Sequence, residues 1–333
     1  KMTPAKMIGA GRIIFAGVIL FGIGFLVCGM ARSVLAVIFG FGVIGGLANG
    51  LGYVCTVSTA VKFFPDKKGL IGGISTASYG ISSVIVPPIA DALNRSVGIS
   101  RAFTIFGIAI IGIGGLCSLF ILNCPDDYTP TGWNGGSSGA AGTSRDMTAL
   151  QMLASPIFYV MLAMMFIGAT IGLMMISETA AIAQTMLGMS SSAAALIVST
   201  YALFNTGSRI VVGWISDKIG RIRTITYVLV LMVLSLLAIY LSGLNGNTFL
   251  FRAGICLIGF SYGSFMGIYP AFTSDQFGVK YSALNYGILF IGFSLAGVVG
   301  PLIMQKIFSE FASYRPSFPI AIVFALIGIA LTF

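Results

Sequence analysis

Ten stretches of about twenty or more mostly apolar residues follow one another along this 333-residue chain, and that succession leaves few folds open. They cover about 12–31, 33–61, 70–93, 101–122, 156–187, 190–215, 224–244, 248–272, 282–307 and 313–333. In hydrocarbon every backbone N–H and C=O must find a partner within the protein, so runs of this length read as membrane-spanning helices. Composition agrees: 57% of residues are hydrophobic, only 8% are charged, and the mean hydropathy is +1.02. The expected fold class is an all-α polytopic membrane protein with ten transmembrane helices.

Several function classes drop out. The chain has no histidine, which removes the commonest general base and metal ligand, and no nucleophile, base and orienting group recur at useful spacing. An enzyme is therefore not expected. The five cysteines are scattered in or beside apolar runs without paired spacing, so neither a disulfide framework nor a metal site is indicated, and no cofactor is expected. The net charge of +9 comes from single residues at the ends of apolar runs rather than from a basic block, which argues for membrane topology and against nucleic acid.

Residues 123–155 interrupt the apolar pattern with Pro125, Asp126, Asp127, Pro130 and a Gly-Gly-Ser-Ser-Gly run at 135–139, the composition of a solvated linker. The expected organisation is a helical half over 1–122, a cytoplasmic linker over 123–155 and a second helical half over 156–333, a pattern of four spans plus six. With the linker in the cytoplasm, Lys1, Lys6, Arg12, Lys62, Lys67, Lys68, Arg145, Lys218, Arg221, Arg223 and Lys280 fall on its side. Arg32, Arg95, Arg101, Arg252, Lys306 and Arg315 fall opposite, an eleven-to-six bias that sets this orientation.

The eighteenth basic residue, Arg209, lies inside an apolar run. A charge at the centre of a membrane helix costs about 3 kcal/mol or more, so such a residue faces a cavity or a partner and marks a substrate path. Tyr201, Asn205 and Arg209 stand at i, i+4 and i+8 and share one helix face. At about 1.5 Å rise per residue, Arg209, Tyr53, Tyr79, Tyr262, Phe290 and Phe293 each fall roughly 10 to 20 Å from their cytoplasmic helix ends, near the middle of a core about 30 Å thick. Arginine can grip a carboxylate through two parallel hydrogen bonds, phenols can add donors, and phenyl rings can exclude water. Membrane lipid is an expected partner, and the chain is expected to act as a monomer.

Self-similarity runs through the sequence. Lys218 to Arg223 has a counterpart in Lys1 to Lys6; Asp66 and Asp275 each close a loop after a glycine-rich helix; Tyr79-Gly80 and Tyr286-Gly287 follow at a similar offset. Carried backwards, the repeat predicts two further spans before Lys1, and hence an N-terminally truncated member of a six-plus-six architecture, short by roughly 60 residues on the repeat arithmetic.

The run Gly213-Trp214-Ile215-Ser216-Asp217-Lys218-Ile219-Gly220-Arg221-Ile222-Arg223 resembles the G-x-x-x-D-K-x-G-R loop of the major facilitator superfamily. The resemblance implies a major facilitator fold lacking its first two helices, with Gly213, Asp217, Lys218, Gly220 and Arg221 as a conformational latch. More narrowly, Phe63 to Leu70, Ser274 to Gly278 and Tyr281 to Gly287 are similar to the oxalate/formate antiporter family, as are Asp127-Tyr128-x-Pro130 and Met152-Leu153-x-Ser155-Pro156-x-Phe158. The Asn205-x-x-x-Arg209 pair is similar to related monocarboxylate transporters. The family's oxalate transporter holds its dianion between an arginine and a lysine; Arg209 matches the arginine, and the lysine position falls on Phe293. The resemblance thus implies a secondary active transporter with Arg209, Asn205, Tyr201, Tyr53, Tyr79, Tyr262, Phe290 and Phe293 around a monocarboxylate of the formate, lactate or pyruvate type, working by alternating access as antiport or proton symport. Two other readings stay open: a carrier of another organic anion or a neutral solute, and a transporter-like sensor that binds without moving its ligand.

Overall fold

A computed structural model describes residues 9–122, 124, 125, 128 and 146–333. Lys1, Lys6, Arg145 and most of the expected linker, including Asp127 and Pro130, lie outside the described residues.

The described chain is built of helices. In order they are α1 (Gly9–Met30), α2 (Val34–Phe63), α3 (Lys68–Val97), α4 (Ile99–Ser118), a short α5 (Ala149–Leu153), α6 (Pro156–Leu187), α7 (Ser191–Ile219), α8 (Arg221–Asn245), α9 (Thr248–Phe277), α10 (Ser282–Phe311) and α11 (Ser317–Ala330). Among the described residues nine of these are long and apolar enough to cross a membrane. The tenth expected span is shorter: α11 has 14 residues, about 21 Å by helical rise. The stretch counted as 313–333 takes in the turn between Ala312 (φ 49°), which closes α10 in the left-handed region, and Pro316, together with the three residues after Ala330, so the helix inside it is shorter.

Helix ends follow local chemistry. Ser190 caps α7 by accepting from the Ala193 N–H at 3.3 Å, Asn247 caps α9 through Leu250, and Pro156 occupies the first turn of α6. Thr148 and Gln151 form a reciprocal capping box on α5. Two spans contain π-type turns, Ile38–Gly45 in α2 and Ile110–Gly114 in α4, and α10 is interrupted at Phe290.

The residues cluster into two compact units, one drawn from Lys1–Pro65 and Ser82–Asn134, the other from Asp66–Ile81 and Gly135–Phe333. In the first, α1 packs on α2 and α4 around Phe25, whose ring meets Phe21, Phe41, Phe103 and Phe106 edge-on or tilted. Tyr53 is buried within this unit, 8% exposed. In the second, α9 is central and packs on α7, α8 and α6. Two phenols tie this core together: Tyr201 donates to the Gly172 carbonyl and Tyr269 to that of Met161, each at 3.0 Å. Residues 66–81, which include the first turns of α3, pack with the second unit.

The reason lies in close backbone approach. A Cβ at Gly73 would overlap the Arg209 carbonyl, so only glycine lets α3 lie this close to α7. At the same end of the second unit, Met147 N–H donates to the Phe277 carbonyl and Asn285 Nδ2 to that of Met147, pinning the chain before α5 to the α9–α10 turn. This is the linker end of the second unit, and the opposite one is its far end.

Candidate functional site

Arg209 sits on α7 with its main chain enclosed on two sides. Its carbonyl faces Gly73 of α3 and Gly267 of α9, where an added Cβ would overlap it. The backbone is thus fixed, and the side chain reaches sideways: Nη1 donates to the Thr76 carbonyl at 2.7 Å and Nη2 to Asn205 Oδ1 at 2.9 Å. A guanidinium has only donors, so it settles which end of the Asn205 amide faces it. Nε of Arg209 and Nδ2 of Asn205 are both buried without an acceptor.

The residue is half-buried, and none of the ion pairs among the described residues includes it. Each buried donor left unmade costs about 1–3 kcal/mol, more on a charged group. Both are donors and one is on a cation, so the partner they lack is an acceptor.

The other expected residues distribute as follows. Tyr201 shares the face of Asn205 and Arg209, but it is fully buried and its single O–H is committed to Gly172. Tyr79 lies on α3 three residues beyond Thr76 and is half-buried. Tyr262, 5% exposed, packs against Gly172 on α6. Phe290 and Phe293 stack at 4.6 Å on α10, with Tyr286 edge-on to Phe290 at 5.4 Å. Tyr53 belongs to the other unit.

Thr76 was not foreseen. It contributes a backbone carbonyl, which carries no residue-type signature. The only trace in the sequence is the small-residue spacing of Gly69, Gly72, Gly73 and Gly80, which lets α3 reach α7 and the Thr206 side chain.

At the linker end a second constellation forms. Asp217, in the last turn of α7, accepts from Gly69 N–H at 2.8 Å and Leu70 N–H at 2.9 Å, satisfying free donors at the start of α3 and meeting its positive dipole end. Arg221 bridges two carboxylates, Asp217 at 2.7 Å and Asp275 at 2.9 Å, and donates to Ser216 Oγ. Lys68 completes the network on Asp275 at 2.8 Å. Two cations and two anions balance. Gly220 (φ 93°) makes the reversal that returns Arg221 toward Asp217, and Gly213 lies against the Gly69 carbonyl. Lys218 departs from the expected pattern: its ammonium lies 3.7 Å over the Trp214 ring instead of joining the charged network.

Nine bilayer-length helices among the described residues define a multi-pass membrane protein, and the sequence family gives its class as a transporter. The chain belongs to the Major Facilitator Superfamily, whose sequence profile matches residues 5–301. It is 32% identical over 291 residues to the uncharacterized MFS-type transporter YhjX of Escherichia coli (strain K12), covering 87% of this chain and 70% of that protein. It is 28% identical over 319 residues to the oxalate:formate antiporter of Oxalobacter formigenes, covering 96% and 73%. Monocarboxylate transporter 12-B of Danio rerio is 21% identical over 92% of this chain and 68% of its own length. In structure the chain is similar to the human organic anion transporter MFSD10 (TETRAN), with a TM-score of 0.76 at 14% identity over 99% of this chain and 78% of that one. These relatives are transporters and not enzymes.

Proposed function

We propose that this protein is a secondary active transporter of small organic anions, in particular monocarboxylates of the formate, lactate or pyruvate type. The single observation that carries the reading is the unbalanced Arg209 guanidinium, anchored by Thr76 and Asn205 and left with unmet donors. Of its five N–H donors two are used, which leaves enough for a bidentate carboxylate. Tyr79 and Tyr262 are further candidate donors in the same unit, and Tyr53 is a candidate by depth alone.

Charge decides between mono- and dianion. One cation balances one carboxylate, and a second carboxylate in a water-poor site would be uncompensated at a cost of several kcal/mol. Phe293, which stacks on Phe290, stands at the position that the family resemblance gives to a second cation. The names of two relatives, an oxalate:formate antiporter and a monocarboxylate transporter, support the acid class.

Movement is by alternating access, as exchange or proton symport. The Asp217, Arg221, Asp275 and Lys68 network, with Gly213 and Gly220 shaping its backbone, acts as a latch on the first turns of α3 at the linker end.

The test is counterflow of labelled formate, lactate and oxalate in proteoliposomes. Monocarboxylate flux that falls roughly 10- to 100-fold in Arg209→Gln is the expected result, from the loss of charged hydrogen bonds. Flux insensitive to that change, or a preference for oxalate, would overturn the reading, and binding without flux would select a sensor.

A further inference from the structure

At the far end of the second unit, the first turns of α7 and α9 part around a groove of about 180 Å3. Arg252, Thr200 and Cys256 line it beside Leu196, Ile197 and Ile255. Arg252 is exposed and has no hydrogen bond or ion pair with any described residue, and no carboxylate lines the groove. It stands in the second turn of α9, close to the helix start, at the depth where a span leaves hydrocarbon for headgroups. The Thr200 hydroxyl already donates to the Leu196 carbonyl at 2.8 Å, so charge recognition here belongs to Arg252 alone.

The groove is separate from the Arg209 site. Below it α7 and α9 meet backbone to backbone: a Cβ at Gly259 would overlap the Tyr201 carbonyl, and one at Gly263 the carbonyl of Asn205. No solute can pass down that contact without parting the helices. Gly267, beside Arg209, is fifteen residues from Arg252 (267 − 252), roughly 22 Å along α9.

What surrounds the groove is apolar and open. Leu196 is 69% exposed and Phe249, one turn before Arg252, is 78% exposed. An unpaired guanidinium at the membrane boundary beside bare aliphatic and aromatic surface complements a molecule with an anionic head and a hydrocarbon tail. We infer that this groove seats an anionic membrane phospholipid, its phosphate on Arg252 and an acyl chain along Leu196. A zwitterionic head would bring its ammonium toward the guanidinium and binds less well.

The full chain, purified in detergent, is titrated with phosphatidylglycerol, phosphatidylcholine or inorganic phosphate, reading retained lipid by native mass spectrometry and thermal shift. Phosphatidylglycerol is expected to bind best, with affinity about five-fold lower in Arg252→Gln and largely kept in Arg252→Lys. Leu196→Trp, which keeps the charge and fills the groove, is expected to weaken lipid retention as well. Equal retention of phosphatidylglycerol by the parent and Arg252→Gln would overturn the inference. So would inorganic phosphate matching the lipid in an Arg252-dependent way, which would make this a free-anion site.

Discussion

Asn205 turns its side-chain oxygen to the Arg209 guanidinium, 2.9 Å from Nη2 and one helical turn away, and is left with a buried amide that has no acceptor. The pair is therefore oriented but electrically unfinished, which is the state a site needs before an anion arrives.

Replacing Asn205 by Asp puts a carboxylate where the amide oxygen stands and completes the charge internally. Anion uptake is expected to fall by about tenfold or more at neutral pH. It should recover in part on acidification, as protonation of the new acid frees the guanidinium. Uptake measured across pH 5 to 8 checks this; a profile parallel to that of the parent refutes it.

Introducing a second cation at the stacked pair tests the charge argument from the other side. Phe293→Lys is expected to raise oxalate counterflow relative to formate, since the dianion then meets two opposite charges. An unchanged oxalate-to-formate ratio would show that Phe293 lies away from the bound anion.

Asp275 bridges Arg221 and Lys68, whereas among the described residues Lys68 pairs with Asp275 alone. Asp275→Asn should therefore lower the thermal midpoint more than Lys68→Gln. The Lys68–Asp275 pair is partly solvent-exposed, so its coupling in a double-mutant cycle is expected near about 0.5–1 kcal/mol.

Gly263→Val should destabilise by about 1–3 kcal/mol, because its side chain would overlap the Asn205 carbonyl and force α7 from α9. The unfolding midpoint of the purified protein reads this directly. The same change at Gly207, which meets nothing within 4 Å, should be far milder.

Tyr314, in the turn between α10 and α11, donates to Glu178 at 3.1 Å. Its phenol is pushed up to about 12, by burial first and then by the hydrogen bond and charge of Glu178. The folded state thus holds this proton more tightly than the unfolded chain, whose phenol titrates near 10. Its contribution is complete below about pH 10 and is lost as pH rises toward 12. Tyr314→Phe should flatten the fall in thermal midpoint over that window.

Apolar run length made nine of the spans legible, because hydrocarbon imposes one solution on the backbone. Arg209 was legible for the same reason: a charge is conspicuous where water is absent. What stayed hidden depends on the approach of distant segments. The Thr76 carbonyl, the Arg221–Asp275 bridge across 54 residues and the packing of residues 66–81 all arise from helix contacts that single-chain patterning does not encode. The break between α10 and α11 was legible as a gap between two apolar runs, but the left-handed backbone at Ala312 that makes it was not, since alanine carries no turn signature. The i, i+4 spacing of Trp214 and Lys218 suits ring and ammonium, but Asp217 beside it offers a competing partner that patterning alone does not rank.

Glycine-to-carbonyl contact along α7 and α9 leaves no intervening side chain whose rotamers could absorb sliding. The strut that carries Arg209 must then travel with its neighbour as a single lever, and the pliancy a working cycle demands has to come from elsewhere. Such a break in rigidity is found at Phe290, where α10 departs from regular winding.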